Sequence, residues 1–149
     1  MTGQFDGKVA LVTGGNAGIG KATALQFARE GARVVIAARR AAQGEETVAE
    51  IRDAGGEAVF VQTDVSRPEQ VKAMVETTVD TFGGLDYAFN NAGIVLDVGL
   101  THEHTEEDWD STIEINMKGL WLCMKYELPE IVKRGGGAIV NDSSGGGLH

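Results

Sequence analysis

Residues 13–20 read Thr-Gly-Gly-Asn-Ala-Gly-Ile-Gly, where the apolar run Val9-Ala10-Leu11-Val12 hands over to a helix-forming stretch. Glycine has no Cβ, so Gly14, Gly18 and Gly20 permit a sharp turn and let a bulky group approach bare backbone. The start of a helix offers unpaired N–H groups and the positive end of its dipole, which together suit a phosphate. Asn16 and Ile19 lie in the same turn and join the glycines as candidate phosphate-site residues. Three glycines at such a junction, opening a strand–helix–strand unit of roughly 30 residues, are the fingerprint of a dinucleotide site. A strand expected at 33–38 closes that unit. A tight turn alone is the weaker explanation for so many glycines directly after a buried-type strand. Gly15 to Lys21 also approaches the P-loop pattern, but Ala22 stands where a magnesium-binding hydroxyl is needed and Thr23 comes one place late.

Further polar residues gather at the ends of expected strands. Arg39 and Arg40 follow the second strand, the point that faces the adenosine ribose in a dinucleotide fold. A guanidinium there can hold a 2′-phosphate by paired hydrogen bonds; a solvated basic loop is the plainer alternative, more so for Arg40. Asp64-Val65 closes the third strand, and by residue type alone Asp64 is equally a turn acid. Asn90-Asn91-Ala92-Gly93 ends the fourth, where short amides and small residues leave room for a ligand at the carboxyl edge of a sheet. An Asn-Gly-type turn is the alternative there. Asn116 falls between two expected helices, where an asparagine usually serves as a cap. Ser143-Ser144 follows the fifth strand, a common place for turn serines. His102 and His104 flank Glu103, but a metal site needs a third ligand in fixed geometry, and no metal is expected. Cys123 lies within an expected helix, with no base marked to activate it.

The spacing Gly-x-x-x-Gly-x-Gly preceded by Thr13, together with Asn90-Asn91-Ala92-Gly93 downstream, resembles the short-chain dehydrogenase/reductase family, whose signature reads Thr-Gly-x-x-x-Gly-x-Gly. The resemblance implies an oxidoreductase that interconverts an alcohol and a carbonyl by hydride transfer with a nicotinamide coenzyme. It implies that Asp64 contacts the adenine amine, that Val65 packs on the ring, and that Asn91, Ala92 and Gly93 line the coenzyme crevice. Ala38 occupies the place of the acid that would favour NAD, and Arg39 follows it. NADP(H) is therefore the expected coenzyme, with NAD(H) as the alternative. Asn116, in Asn-x-x-Gly with Gly119, looks like the family asparagine whose backbone holds a proton-relay water. Ser144 looks like the catalytic serine, whose hydroxyl would hydrogen-bond the substrate oxygen.

The family's proton donor is a tyrosine whose phenol, near pKa 10 when unperturbed, is lowered by a lysine four places on. That Tyr-x-x-x-Lys pair is expected beyond Ser144. Tyr87 and Tyr126 do not match it, since Tyr87 begins a strand and Tyr126 has Glu130 four places on. The resemblance thus covers the whole chain but only the first part of the usual family domain. The chain is expected to belong to a longer enzyme and to be inactive alone; the alternative is a non-catalytic nucleotide-binding or oligomerisation module. Family members pair through their long helices, which implies a homodimer or homotetramer through 106–134.

These residues need a scaffold, and 149 residues suit one domain, read here as a single dinucleotide-binding domain over 1–149. With 42% hydrophobic residues it can bury a core. A net charge of −9 opposes nucleic acid and anionic membranes as partners, leaving a small-molecule alcohol or carbonyl. Cys123 is the only cysteine, so no intramolecular disulfide forms. No apolar signal core opens the sequence, no run approaches the ~18 residues of a membrane span, and a cytoplasmic location is expected.

Alternating elements predict an α/β, doubly wound parallel sheet of order 3-2-1-4-5, incomplete on its C-terminal side. Strands are expected at 8–12, 33–38, 58–62, 87–90 and 138–141, and helices at 18–30, 42–54, 68–82, 106–115 and 117–134. Ser66 is the expected cap of the third helix, and Thr105 with Asp108 reads as a capping box. Pro129 is a kink site, and 94–104 is a loop. A sheet that stopped at the fifth strand would leave an apolar parallel edge for a partner to cover.

Overall fold

Strands and helices alternate from Val9 to Asn141 in a computed structural model that describes residues 3–96 and 99–144. β1 (Val9–Thr13) lies in parallel between β2 (Arg33–Ala38) and β4 (Tyr87–Asn90). β3 (Glu57–Gln62) adds outside β2, and β5 (Ala138–Asn141) outside β4. The order is β3-β2-β1-β4-β5, as expected. The connecting helices are α1 (Gly18–Arg29), α2 (Ala41–Asp53), α3 (Pro68–Phe82), α4 (Glu106–Thr112) and α5 (Leu120–Lys133).

Side chains alternate across a strand, and both faces of the sheet are covered over β1 and β2, whereas edge strand β5 is largely exposed, with Val140 59% open. Leu11 and Val35 point into one core with Met74 and Val75 of α3 and Leu122 and Ile131 of α5. Ala10, Val12, Val34 and Ile36 point into the other with Ala24 of α1 and Val48 and Ile51 of α2. The continuous apolar run of β1 follows from this, since all five of its residues are buried. At the amino end of the sheet, buried Asp86 accepts the Val9 N–H at 2.9 Å and pairs with Lys8 and Arg134. The functional residues stand at the opposite, carboxyl end.

Several boundaries differ from expectation. β1 ends at Thr13, because the ladder continues to Thr13 opposite Ala37 and Asn90. Ser66 does not cap α3: Arg67 is the N-cap residue, without a side-chain cap bond, and the Ser66 hydroxyl donates to Asp64 Oδ1 at 2.7 Å instead. The two helices expected at 106–115 and 117–134 are joined. A π-helical segment, Ile113–Gly119, carries α4 directly into α5, and α5 continues through Pro129 to Lys133. The capping box forms: Asp108 N–H donates to Thr105 Oγ1 at 3.1 Å, and Thr105 N–H donates to Asp108 Oδ2 at 2.8 Å. A 3-10 turn, Thr101–Glu103, interrupts the loop before α4.

Candidate functional site

Thr13 ends β1 buried, and its hydroxyl oxygen accepts the backbone N–H of both Asn91 (3.0 Å) and Ala92 (3.1 Å). Asn91 Nδ2 in turn donates to the Gly14 carbonyl at 3.4 Å. The glycine turn and the Asn-Ala-Gly motif are therefore fixed to one another. Gly14 and Gly18 both take positive φ, 67° and 52°, which favours glycine. Gly20 is glycine for a different reason: a Cβ there would fall on the Gly14 carbonyl oxygen. At Gly14 a Cβ would come within 2.8 Å of Asn91 Nδ2.

α1 begins beyond this turn with Ala17 as N-cap, no side-chain cap bond, and no acidic residue in its first turn. Its leading N–H groups and positive dipole end are thus left for an anion. Exposed Ile19 stands on that first turn. Asn16 Nδ2 donates to Gln43 Oε1 at 2.9 Å, tying the turn to α2. Lys21, the residue that gave the P-loop likeness, is paired with Glu50.

A cleft of about 220 Å³ opens at the carboxyl ends of β1, β2, β3 and β4. Gly14, Asn16, Arg39, Arg40, Asp64, Val65, Asn91, Ala92 and Gly93 all line it. Gly18, Ile19 and Gly20 stand beside it on α1. Arg39 and Arg40 are exposed, and Ala38 is buried, so no carboxylate occupies the end of β2. Asp64 Oδ1 accepts from both the N–H and the hydroxyl of Ser66, at 3.0 and 2.7 Å. Partial burial pushes its pKa up, but the Ser66 hydrogen bonds and the charges of Arg39 and Arg67 outweigh that and hold it below the ordinary value. Asp64 therefore serves as a turn acid at the cleft wall. Val65 is buried against Gly119, where a Cβ would come within 2.9 Å of Val65 Cγ2; the glycine lets the π-helical segment approach.

A second cleft, about 390 Å³, shares the Asn91–Ile94 wall with the first and is lined by Asn116 and Ser144. Asn116 is not a helix cap. It lies within the π-helical segment, and its side chain brackets Ile94: Oδ1 accepts the Ile94 N–H and Nδ2 donates to the Ile94 carbonyl, both at 2.8 Å. A π-helical turn is a frequent feature of functional sites, and this one aims Asn116 at the strand-four loop. The site residues picked from the sequence fall on these two adjoining clefts or on the helix start beside them.

Sequence reasoning missed two participants. Thr13 stood in the motif, but the pairing of its hydroxyl with a segment 78 residues away is a tertiary fact. Glu127 is fully buried behind Asn90; its signal was a charged residue at four-residue spacing between Cys123 and Ile131, both on the core face.

Residues 8–149 match the sequence model of the short chain dehydrogenase family. The chain is 44% identical over 148 residues to the cyclohexanol dehydrogenase of Acinetobacter sp. (strain SE19), covering 99% of this chain and 59% of that protein. It is 40% identical over 148 residues to the 3beta-hydroxysteroid dehydrogenase of Mediterraneibacter gnavus, covering 99% of this chain and 53% of that protein. Its fold aligns with the crystal structure of a short-chain type dehydrogenase/reductase from Mycobacterium marinum at a TM-score of 0.93 and 35% identity, over 97% of this chain and 59% of that one. The chain spans a little over half the length of these relatives. With the glycine turn, the Asn-Ala-Gly loop and the strand order all of one pattern, and with that match over nearly its whole length, the chain belongs to the short-chain dehydrogenase/reductase family.

Proposed function

We propose that these residues form the single coenzyme-binding domain of an NADP(H)-dependent oxidoreductase that interconverts an alcohol and a carbonyl. The carrying observation is the uncapped N-terminus of α1 beside a cleft rimmed by Arg39 and Arg40. Members of the family use NAD(P), and the residues here fit a dinucleotide: the first turn of α1 has no side-chain cap and no acid, and exposed Arg39 and Arg40 line the cleft beside it. When bound, that coenzyme supplies or accepts the hydride.

In this reading the first-turn N–H groups of α1, including those of Gly18, Ile19 and Gly20, hold the pyrophosphate. The Arg39 guanidinium holds the 2′-phosphate with Arg40 at its side. Asp64 and Val65 border the adenine, and Asn91, Ala92 and Gly93 border the nicotinamide half. On the adjoining cleft the Ser144 hydroxyl donates to the substrate oxygen, which steadies developing charge. Asn116 contributes its main-chain carbonyl to proton relay, its side chain being engaged with Ile94.

Met117, Trp121, Leu128 and Val132 are exposed along the helical stretch at 106–134, which supports self-association of the protein into a homodimer or homotetramer there. Among the described residues no helix is long and apolar enough to cross a membrane, and a cytoplasmic setting is part of the proposal. The alcohols named in two relatives, cyclohexanol and a 3beta-hydroxysteroid, are the first substrates to assay.

The test is a fluorescence titration with NADPH and NADH on wild type and Arg39→Asp. Wild type should bind NADPH about tenfold tighter or better, and the variant should lose that margin. Equal wild-type affinities would refute the coenzyme preference, and binding of neither would refute the site.

A further inference from the structure

We propose that Glu127 is a positioning residue held as a neutral carboxylic acid, paired at two points with the Asn90 amide, and that this pair sets the tips of β4 and β5 on which the candidate site stands. Glu127 projects from α5 with no exposed surface, and Asn90 ends β4 almost as deeply buried. Asn90 Nδ2 donates to Glu127 Oε2 at 2.9 Å and to Asn141 Oδ1, across the β4–β5 ladder, at 3.1 Å. Both amide hydrogens are thereby used.

Two buried side-chain polar atoms are left over among the described residues, Asn90 Oδ1 and Glu127 Oε1. They belong to the same two residues that the first hydrogen bond joins. Both are acceptors if Glu127 is ionised, and neither can then satisfy the other. A proton on Oε1 makes it a donor and gives Asn90 Oδ1 its missing partner, closing an amide–acid ring in which every polar atom is satisfied. Orphaned buried groups are rare in folded proteins because each costs its full desolvation, so the protonation state that removes both at once is favoured.

The surroundings point the same way. Burial pushes the Glu127 carboxyl up, and the bond from Asn90 only partly opposes this. Among the described residues no cation is paired with it: Lys72 pairs with Glu76 on α3, Lys133 with Glu130 on α5, and Lys125 of α5 lies over the Trp121 and Tyr126 rings. The remaining charged groups of α3, Glu69 and Asp80, are acids, and Asp86 beyond the far end of β4 pairs with Lys8 and Arg134. β5 carries no titratable side chain between Ala138 and Asn141. On its own helix the buried Cys123 thiol stands one turn back, and burial pushes it up.

The position of the pair gives it its consequence. Asn90 leads directly into Asn91-Ala92-Gly93, and Asn141 leads into Asp142-Ser143-Ser144. The Asp142 N–H also bonds the Asn90 carbonyl at 3.0 Å, and Asn141 Nδ2 reaches Met124 of α5. α5 thus grips both strand tips from behind through Glu127 and Met124. The link from these tips to coenzyme and substrate rests on the function proposed above; the protonated pair does not.

The protein with isotope-labelled glutamate should show at about pH 6 an infrared band of a protonated carboxyl that is missing in E127Q. The side-chain amide of E127Q would present a donor and an acceptor in the places of the acid, so this variant should keep its melting temperature within about 2 °C, while E127L should lose more than about 4 °C. Absence of the band, or an E127Q that melts as low as E127L, overturns the neutral pair. E127L should weaken NADPH binding at least about tenfold relative to E127Q, and wild-type affinity in folded E127L overturns the positioning role. The infrared and melting measurements are made without coenzyme, so failure of the coenzyme reading leaves both able to decide.

Discussion

At the scale of single residues, the site is built from groups whose replacement has unlike consequences. The Gly20 Cβ position coincides with a backbone carbonyl, and backbone cannot swing aside as a side chain does. Gly20→Ala should lower stability by at least about 1–3 kcal/mol, the range for overpacking, and should weaken coenzyme binding with it; calorimetry and the same fluorescence titration check both. Thr13→Val keeps the shape of the side chain and removes the acceptor of two N–H groups. It should cost roughly 1–3 kcal/mol in urea unfolding, with weakened coenzyme binding because the Asn91–Ala92 turn is no longer fixed to β1. The glycines were legible in the sequence because a missing Cβ is itself the chemistry they supply. Asn116 was legible as a candidate site residue through its Asn-x-x-Gly pattern, whereas its partners, the N–H and carbonyl of Ile94, are set by tertiary packing and could not be read from the sequence. Asp64 shows the reverse: the plain turn reading of its residue type is realised through Ser66, at the wall where a ligand-facing acid was also expected.

At the scale of elements, most of the fold was readable from punctuation. Gly31 and Gly83 take the positive φ of a helix stop, and the pattern of apolar runs located five strands to within a residue or so. The joined helices were not readable, because a π-helical turn leaves no composition signature and Asn116-Met117 resembles an ordinary break. Gly119 explains why the segment can lie so close to Val65. Gly119→Val should push the π-helical segment off the cleft wall, lowering Tm by about 4 °C or more and weakening coenzyme binding together with it. At the start of α4, Thr105→Ala should cost about 1 kcal/mol through loss of the cap. The Asp108 carboxylate is held below its ordinary pKa by the backbone and hydroxyl bonds of Thr105. Its contribution is present above the unfolded pKa and lost as pH falls through the lower folded value, so Thr105→Ala should flatten the acid limb of a pH–stability curve.

At the scale of the whole molecule, the same sheet carries apolar cores on both faces and a buried acid in one of them, and the acid makes stability fall with rising pH. Burial moves Glu127 from 4.5 to about 7. Between those values the folded chain holds a proton that the unfolded chain has released, so the stabilising effect is complete below 4.5 and gone once pH has risen through about 7. The change amounts to roughly 3 kcal/mol over that window, and E127Q should abolish it in urea titrations run at a series of pH values. The outer surface carries the complementary expectation. Met117, Trp121, Leu128 and Val132 are each at least 49% exposed and fall at spacings of four, seven and four, which places them along one side of a continuous helix. A stripe of this kind is costly in water and is covered when two copies meet across it. Trp121→Glu with Val132→Glu would put charge into the centre of that contact, where an unpaired carboxylate is poorly tolerated. Light scattering after size exclusion should therefore give a multiple of the chain mass for wild type and the single-chain mass for the double variant, with the far-ultraviolet dichroism of a folded α/β protein in both; a monomeric wild type would overturn self-association through this stripe.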